Sequence, residues 1–211
     1  MKYTHLIWDF NGTILDDMAV GLECVNLMLS KRGLPTVESI EEYRRLFRFP
    51  IMDYYHLVGF DFEQDDYYTV LAPEWVAKYL AGEGNCDTMP GVRETIAAIR
   101  ERGTEQIVLS ASNLTQLMGQ LERLGLLGEF REVIGLDNIH ARSKKAQALE
   151  WIAAHPTAVP LFVGDTEHDA QVADAVGADC VLYTGGHQSE RKLTACGKPM
   201  ISDIRELLAF L

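Results

Sequence analysis

Residues 4–13 of the chain read T-H-L-I-W-D-F-N-G-T, an apolar run that ends on Asp9 and is followed by the turn residues Asn11 and Gly12. A short apolar run bounded by turn residues is typical of a strand buried on both faces. We therefore predict a strand that presents the Asp9 carboxylate at its tip. A carboxylate before a turn is also a common turn cap, so this motif alone leaves its role open.

The rest of the chain alternates such runs with helix-length segments. Further apolar runs lie at residues 106–109, 159–163 and 180–183. Segments with helical spacing and clear stop signals lie at residues 91–102, 114–124 and 144–154. Strands that alternate with helices favour a parallel sheet covered on both faces, which binds ligands at the carboxyl ends of its strands. We predict an α/β fold built on a doubly wound parallel sheet.

Residues 17–88 interrupt this alternation. Helical spacing recurs there at residues 18–31, 38–47, 52–58 and 64–80, and no convincing strand is found. We predict an all-helical cap subdomain at residues 17–88, inserted into an α/β core formed by residues 1–16 and 89–211. Because the insertion follows the first strand, the cap would overhang the carboxyl end of the sheet.

Composition and charge exclude several classes of protein. The 211 residues are 47% hydrophobic and 24% charged, which is ordinary for a globular protein. The net charge of −12 repels nucleic acids and anionic membrane surfaces, so neither is expected as a partner. No run reaches the roughly 18 apolar residues of a membrane span, the first ten residues are not expected to form a signal peptide, and the four cysteines lack C-x-x-C spacing. We therefore expect a cytoplasmic protein with reduced thiols.

A pair of acidic residues follows the run at 159–163, where residues 164–169 read G-D-T-E-H-D. Asp165 and Asp169 are four residues apart at a strand–helix junction, so both carboxylates can face one point. Carboxylate oxygens are the ligands that Mg²⁺ prefers. The alternative is that Asp165 caps the helix and Glu167 favours its dipole, which would leave Asp169 unexplained. We interpret His168 as a local hydrogen-bonding residue because Mg²⁺ prefers oxygen ligands.

Two further motifs suit a phosphate group. Ser110 and Ala111 follow the run at 106–109 and precede a helix, whose free backbone N–H groups can bind a phosphate oxygen. Lys144 and Lys145 begin another helix, where the dipole disfavours positive charge unless an anion lies nearby. A plain helix cap and two solvated surface lysines are the alternatives.

Together these motifs resemble those of the haloacid dehalogenase superfamily, whose hydrolases use an aspartate nucleophile. In chain order they are Asp9–Thr13, Ser110, a lysine at 144 or 145, and Asp165 with Asp169. The sequence Pro90-Gly91-Val92 is similar to the entry into the core in phosphoglycolate-phosphatase-like members. The resemblance covers essentially the whole chain and implies a Rossmann-like core with a helical cap.

The resemblance also implies a mechanism. Asp9 would attack the phosphorus of a small phosphorylated metabolite, and water would then hydrolyse the aspartyl phosphate. Mg²⁺ would be held by Asp9, Asp165, Asp169 and the backbone carbonyl of Asn11. The phosphate would be bound by Gly12, Thr13, Ser110, Ala111 and one of the two lysines. Lys144 fits a Ser-Lys opening and Lys145 fits a Lys-x-x-x-Leu spacing to Leu149, so both remain candidates.

The chain departs from the family pattern at Asn11, where phosphatases of this superfamily usually carry an acid/base aspartate. An amide can donate a hydrogen bond but cannot shuttle a proton near neutral pH. Losing this help typically costs about 100- to 10,000-fold in rate, most for substrates with poor leaving groups. The alternatives are a catalytically weakened protein that binds a phosphometabolite, and a non-phosphatase hydrolase of the same superfamily. The lack of any lysine between Lys31 and Lys78 disfavours a phosphonate hydrolase.

Substrate selection is expected to lie in the cap. Arg44 and Arg48 would share a helix face that could reach a substrate carboxylate, or they would form a solvated face with nearby glutamates. Tyr54 and Tyr55 are expected to pack rather than bind substrate. Residues 185–188 are interpreted as a plain turn. The substrate and the choice between monomer and dimer are left open by the sequence.

Overall fold

A six-stranded parallel sheet forms the centre of the computed structural model, which describes residues 2–136 and 143–211. The strands are β1 (His5–Trp8), β2 (Glu105–Asn113), β3 (Glu132–Leu136), β4 (Pro160–Gly164), β5 (Asp179–Tyr183) and β6 (Met200–Ile201). Their order across the sheet is β3-β2-β1-β4-β5-β6. The chain reverses its direction of winding between β1 and β4, and such a switch point opens a crevice at the carboxyl ends of the strands.

Four helices between β1 and β2 form the cap. They are α1 (Met18–Lys31), α2 (Ile40–Leu46), α3 (Ile51–Leu57) and α4 (Ala72–Gly82). A π-helical turn at Tyr67–Leu71 leads directly into α4. The cap encloses its own cluster of buried side chains, which includes Met28, Tyr43, Tyr54 and Phe60. The predicted helical insertion is thus confirmed, while its division from the core at residues 17 and 88 remains a proposal.

Five α-helices follow among the described residues of the core: α5 (Val92–Glu101), α6 (Leu114–Arg123), α7 (Lys144–Ala154), α8 (Glu167–Ala175) and α9 (Glu190–Thr194). Successive side chains of β1 point to opposite faces of the sheet. Leu6 and Trp8 therefore join one buried cluster and Ile7 joins the other. None of the helices among the described residues is long and apolar enough to cross a membrane.

The predicted doubly wound α/β fold is confirmed, but two edge strands were missed. β3 begins on a glutamate and is mostly half-buried, and β6 has only two residues. Neither offers the continuous apolar run that marks a central parallel strand. β2 also extends four residues beyond the predicted run, with an irregular register against β3 between Leu109 and Asn113. That irregularity places Ser110 at the edge of the crevice.

Candidate active site

The predicted site residues come together at the carboxyl edge of the sheet. Asp9 directly follows β1, Ser110 lies in β2, Asp165 follows β4, and Lys144 begins α7. All four line one cavity of about 1080 Å³ that lies between this edge and the cap. A parallel sheet brings its strand ends to one edge, so residues far apart in the chain become neighbours.

The centre of the site is a cluster of carboxylates around one ammonium group. Oxygen atoms of Asp9, Asp165 and Asp169 all lie within 4.8 Å of one another. The Lys144 ammonium donates to Oδ1 of Asp9 and, at 2.5 Å, to Oδ1 of Asp169. Asp165 and Asp169 are buried, and the Asp9 side chain is 13% exposed. Two of the three carboxylates thus share the Lys144 ammonium group.

The pKa values reflect this excess of negative charge. Burial and the Asp169 carboxylate raise the pKa of Asp9 well above its usual value. Burial also raises the pKa of Asp165, to about 6. Lys144 more than offsets the burial of Asp169 and lowers the pKa of that carboxyl. A divalent cation would supply the missing positive charge, and the all-oxygen donor set fits a hard ion such as Mg²⁺.

The start of α8 shapes the acidic pair, and its capping differs from the sequence interpretation. Thr166 is the N-cap residue, and Asp169 Oδ2 accepts from its backbone N at 3.0 Å and its hydroxyl at 2.6 Å. Asp165 is therefore not the helix cap. Asp169 therefore has two roles. Its Oδ2 completes the capping box of α8, and its Oδ1 accepts from the Lys144 ammonium. A Cβ on Gly164 would lie 2.2 Å from Cγ of Asp169, so this close approach requires glycine.

The turn after β1 fixes the orientation of two carboxylates. The Thr13 hydroxyl lies 3.2 Å from Oδ1 of Asp165 and 3.4 Å from Oδ2 of Asp9. Gly12 has a φ of +74°, and a Cβ there would lie 2.4 Å from both Asp165 Oδ2 and the His187 ring. Left-handed backbone and this crowding both exclude other residues. Gly12 and Thr13 thus pack the end of β1 against Asp165.

The candidate phosphate-binding residues differ in their placement. Ser110 is buried, accepts from the backbone N of Ser112 at 3.1 Å, and lines the cavity with Ala111. Lys144 is buried within the carboxylate cluster, whereas Lys145 is exposed on the same helical turn and lies outside the cavity wall. Of the two lysines that the sequence left open, only Lys144 is positioned to contact a ligand of Asp9.

The Asn11 side chain is held from both ends. Its Nδ2 donates to Asp17 Oδ2 at 2.7 Å and to the Tyr79 hydroxyl at 2.9 Å. Its Oδ1 accepts from the Ser112 hydroxyl at 2.8 Å. An amide nitrogen carries only two hydrogens, and both are therefore bound by the protein. Tyr79 lies on α4, so this network also joins the cap to the core.

A buried ion pair between Asp17 and His187 lies beside this amide and was not found from the sequence. His187 Nε2 is 3.1 Å from Asp17 Oδ1, and Nδ1 is 2.8 Å from the Tyr43 hydroxyl. Its backbone N donates to Asp165 Oδ2 at 2.5 Å. Burial alone would lower the pKa of His187, but Asp17 raises it to about 9. His187 lies just after the carboxyl end of β5, where a parallel sheet binds ligands, so its position could have indicated a site residue. Residues 185–188 were instead interpreted from the sequence as a plain turn.

The cap arginines do not reach the cavity. Arg44 donates to the Gly185 carbonyl and lies 3.4 Å from Met18 Sδ, and Arg48 donates to the Leu46 carbonyl at 3.2 Å. Neither lines the cavity or pairs with a nearby glutamate in the described contacts. The expectation that they recognise a substrate carboxylate is therefore not supported. Arg44 instead joins α2 to the loop after β5.

Aromatic rings of the cap line the cavity instead. They include Phe47, Phe49, Tyr54, Tyr67, Trp75 and Tyr79. Trp75 stacks on Tyr79 with ring centroids 4.7 Å apart, and Phe49 stacks on His168 at 4.9 Å. The ring contact of His168 replaces the local hydrogen bonding expected from the sequence. Tyr54 and Tyr55 are buried in the cap, as expected, and both also contribute to the wall.

Comparison with known proteins agrees with this architecture. Residues 6–183 match the family model of haloacid dehalogenase-like hydrolases. The chain is 26% identical to a phosphoglycolate phosphatase of Pseudomonas savastanoi over 96% of this chain and 78% of the relative. It is 27% identical to a phosphoglycolate phosphatase of Rhodobacter capsulatus over 87% of this chain and 85% of that protein.

A solved haloacid dehalogenase-like family hydrolase from Streptococcus pneumoniae has the same fold. It superposes with a TM-score of 0.83 at 15% identity and covers 99% of this chain and 98% of its own. The family match runs from β1 to the end of β5 and so includes every strand that carries a candidate site residue. The chain therefore belongs to the haloacid dehalogenase-like hydrolase family.

Proposed function

We propose that this protein is a Mg²⁺-dependent phosphohydrolase that acts on a small phosphate monoester through an aspartyl-phosphate intermediate. The observation that carries the proposal is the Lys144 ammonium placed between Asp9 and Asp169, with Asp165 completing the cluster. This arrangement sets a nucleophilic carboxylate beside a lysine that can bind phosphate. The curated relatives named phosphoglycolate phosphatases support a phosphorylated substrate.

The metal would be held by Asp9, Asp165, Asp169 and the backbone carbonyl of Asn11. When bound, it would neutralise the phosphate charge that otherwise repels an attacking carboxylate. The same negative charge that raises the pKa values of Asp9 and Asp165 is what gives the site affinity for a dication.

The remaining roles follow from position. Asp9 attacks phosphorus, and the Lys144 ammonium stabilises the charge on the transferring phosphoryl group. Ser110 and Ala111 supply a hydroxyl and backbone donors from the end of β2. Gly12 and Thr13 form the opposite side, where the Thr13 hydroxyl keeps Asp9 and Asp165 in register. Asn11 orients the turn but transfers no proton.

A second candidate is a protein that binds a phosphorylated metabolite and turns it over very slowly. Asn11 favours this candidate because it removes proton transfer at the position next to the nucleophile. The two candidates share a binding site and differ only in turnover.

Phosphate release from a panel of monoesters tests the proposal. We expect turnover with Mg²⁺, loss of turnover with a chelator, and a loss of more than about 1000-fold in Asp9→Asn. Asp53→Asn is the matched control, since Asp53 is exposed in α3 and lies outside the cavity wall. Tight binding of phosphate esters without Asp9-dependent turnover would favour the second candidate.

A further inference from the structure

We infer that the substrate is an aryl phosphate, a monoester of a phenol, whose ring lies in the aromatic part of the cap cavity. The inference rests on the proposed phosphohydrolase function and narrows its substrate class. It departs from the activity named for the phosphoglycolate phosphatase relatives. Two independent features support it: the bonded state of Asn11 and the lining of the cavity.

The first feature is the lack of a proton donor at position 11. Both amide hydrogens of Asn11 are bound, by Asp17 Oδ2 at 2.7 Å and by the Tyr79 hydroxyl at 2.9 Å. Asn11 therefore offers the leaving oxygen neither an acidic proton nor a free N–H group. An ester oxygen that departs without a proton leaves as an anion, and phenolate is a far weaker base than an alkoxide. The site thus suits a phenol leaving group.

The second feature is the wall of the cavity. Its volume of about 1080 Å³ lies just above the range of roughly 300–1,000 Å³ for pockets that bind drug-sized ligands. A two-carbon phosphate ester would leave most of it unfilled. Phe47, Phe49, Tyr67 and Trp75 are only half-buried among protein atoms and line the space. Such rings stack on an aromatic ligand. Acetyl phosphate has an even better leaving group, since a carboxylate is a weaker base than phenolate, but it has no ring for this wall.

The charges of the wall also disfavour a substrate carboxylate. Glu83 and Asp17 add negative charge to it. Among its described residues, Arg123 donates to the Cys86 and Glu83 carbonyls, Lys144 is paired with carboxylates, and His187 is paired with Asp17. The His168 ring is stacked on Phe49, with ring centroids 4.9 Å apart. The two buried cations of the wall, Lys144 and His187, are thus already paired with carboxylates, which disfavours a second anionic group beside them.

The chemical steps balance without an acid at position 11. A carboxylate oxygen of Asp9 forms a bond to phosphorus as the bond from phosphorus to the aryl oxygen breaks. The electron pair of that bond leaves with the aryl oxygen as phenolate. Water then attacks the same phosphorus, the bond to Asp9 breaks, and its electron pair restores the carboxylate. Dihydrogen phosphate departs with both protons of the water and passes one to phenolate through solvent.

Kinetics with five substrates separate the two features. Phenyl phosphate and 2-phenylethyl phosphate share a ring but differ in leaving group. Ethyl phosphate lacks the ring, acetyl phosphate has only the good leaving group, and phosphoglycolate carries a carboxylate. We expect kcat/KM for phenyl phosphate to exceed that for 2-phenylethyl phosphate by at least about 100-fold and to exceed the other three. The double variant Asn11→Asp/Asp17→Asn supplies a carboxyl group at position 11. It should lower the ratio of kcat/KM for phenyl phosphate to kcat/KM for 2-phenylethyl phosphate.

Cap variants test the location of the ring. Trp75→Leu and Phe49→Leu should raise KM for phenyl phosphate by about tenfold and raise KM for ethyl phosphate by much less. Tyr68→Leu is the matched control, because Tyr68 is 72% exposed and lies outside the cavity wall. The two variants lie on different cap segments, so each checks the other if one fails to fold. Equal effects on both substrates would overturn the placement.

Binding of non-hydrolysable analogues gives a readout that does not depend on turnover. Calorimetry on the wild-type protein with Mg²⁺ should find phenylphosphonate bound at least about tenfold more tightly than phosphonoacetate. The inference alone fails if phosphoglycolate, acetyl phosphate or an alkyl ester is preferred in an Asp9-dependent reaction, or if phosphonoacetate binds more tightly. If no ester is hydrolysed above the rate of Asp9→Asn and neither analogue binds, the proposed function fails as well.

Discussion

At the scale of the residue, the decisive substitution is an amide beside the candidate nucleophile. Asn11 is held by Asp17, Tyr79 and Ser112, so it is a fixed part of the site. The same contacts show that a carboxylate cannot simply be placed there, because Asp17 Oδ2 lies 2.7 Å from Asn11 Nδ2. The amide at position 11 and the carboxylate at position 17 form a matched pair.

Asn11→Asp should therefore destabilise the protein by about 1–3 kcal/mol, since it sets two carboxylates against each other and removes a hydrogen bond. The exchange Asn11→Asp/Asp17→Asn should cost less than the sum of the two single variants, because it restores an amide opposite a carboxylate, while Asp17→Asn also removes the carboxylate partner of His187. Unfolding free energies of the wild type, the two single variants and the double variant form the cycle that measures the coupling. Strict additivity would contradict the pairing.

The intermediate is also expected to accumulate. With an aryl phosphate the first step has a good leaving group, while attack by water finds no general base at position 11. The wild-type enzyme should release a rapid burst of about one phenol per active site before a slower steady rate. With 4-nitrophenyl phosphate as the aryl phosphate, stopped-flow absorbance of the released nitrophenol measures the burst. Acid quenching traps the phosphorylated protein. Linear release from the first turnover would argue against a slow second step.

At the scale of the element, a buried ion pair ties the cap to the core. Asp17 immediately precedes α1, His187 lies in the turn after β5, and the Tyr43 hydroxyl of α2 contacts the far side of the imidazole. Asp17, Asp165 and Asp9 all raise the pKa of His187, to about 9. The ordinary histidine value is about 6.5. The folded protein thus holds this proton more tightly than the unfolded chain does.

The stability of the metal-free protein should follow this linkage. Because the folded pKa of His187 is the higher one, its contribution is fully present below about pH 6.5 and is lost as the pH rises through about 9. We expect a loss on the order of 1–3 kcal/mol over that range. Urea unfolding in a chelator at several pH values measures it. His187→Gln should flatten the dependence of unfolding free energy on pH, whereas His56→Gln, at an exposed residue, should not. The same pH dependence in the wild type and both variants would contradict the role given to His187.

At the scale of the whole molecule, the fold concentrates negative charge at the carboxyl edge of the sheet and closes a cap over it. A dication that binds only the folded state stabilises it by mass action. Mg²⁺ should therefore raise the melting temperature of the wild-type protein in a concentration-dependent way, and Asp165→Asn should abolish most of this rise. Asp53→Asn provides the surface control, and thermal scans across a Mg²⁺ titration provide the measurement. An unchanged melting temperature would exclude a metal site at these three carboxylates.

Much of this architecture could be predicted from local patterns. The strand that ends at Asp9, the acidic pair after β4 and the helical insertion each have a short-range signature of apolar runs and turn residues. Lys144 was one of two candidates, and its burial and its contacts with Asp9 and Asp169 separate it from Lys145 only in the folded protein. The alternation of strands and helices then determined which strand ends meet.

The remainder depends on contacts between distant parts of the chain. The pairing of Asp17 with His187 joins the start of the cap to the loop after β5, and no local pattern marks either residue as a partner. Arg44 was expected to bind substrate because its helix face could be predicted from the sequence. Its contact with the distant Gly185 carbonyl could not be predicted. The capping box that Thr166 and Asp169 form at the start of α8 was missed because the sequence does not show at which residue the helix begins. β3 and β6 were missed because edge strands lack the apolar signature of central ones.

The central position of β1 sets an order for folding during synthesis. His5 of β1 pairs with Glu105 of β2 on one side and with Pro160 of β4 on the other, so its partners emerge from the ribosome long after it does. The cap helices contact mainly each other and are made in between, so their local contacts can form first. Asp165 follows β4 and Asp169 lies in α8, so both are synthesised long after Asp9. A growing chain therefore assembles the carboxylate cluster only after most of it has been translated and after all the cap helices have been made.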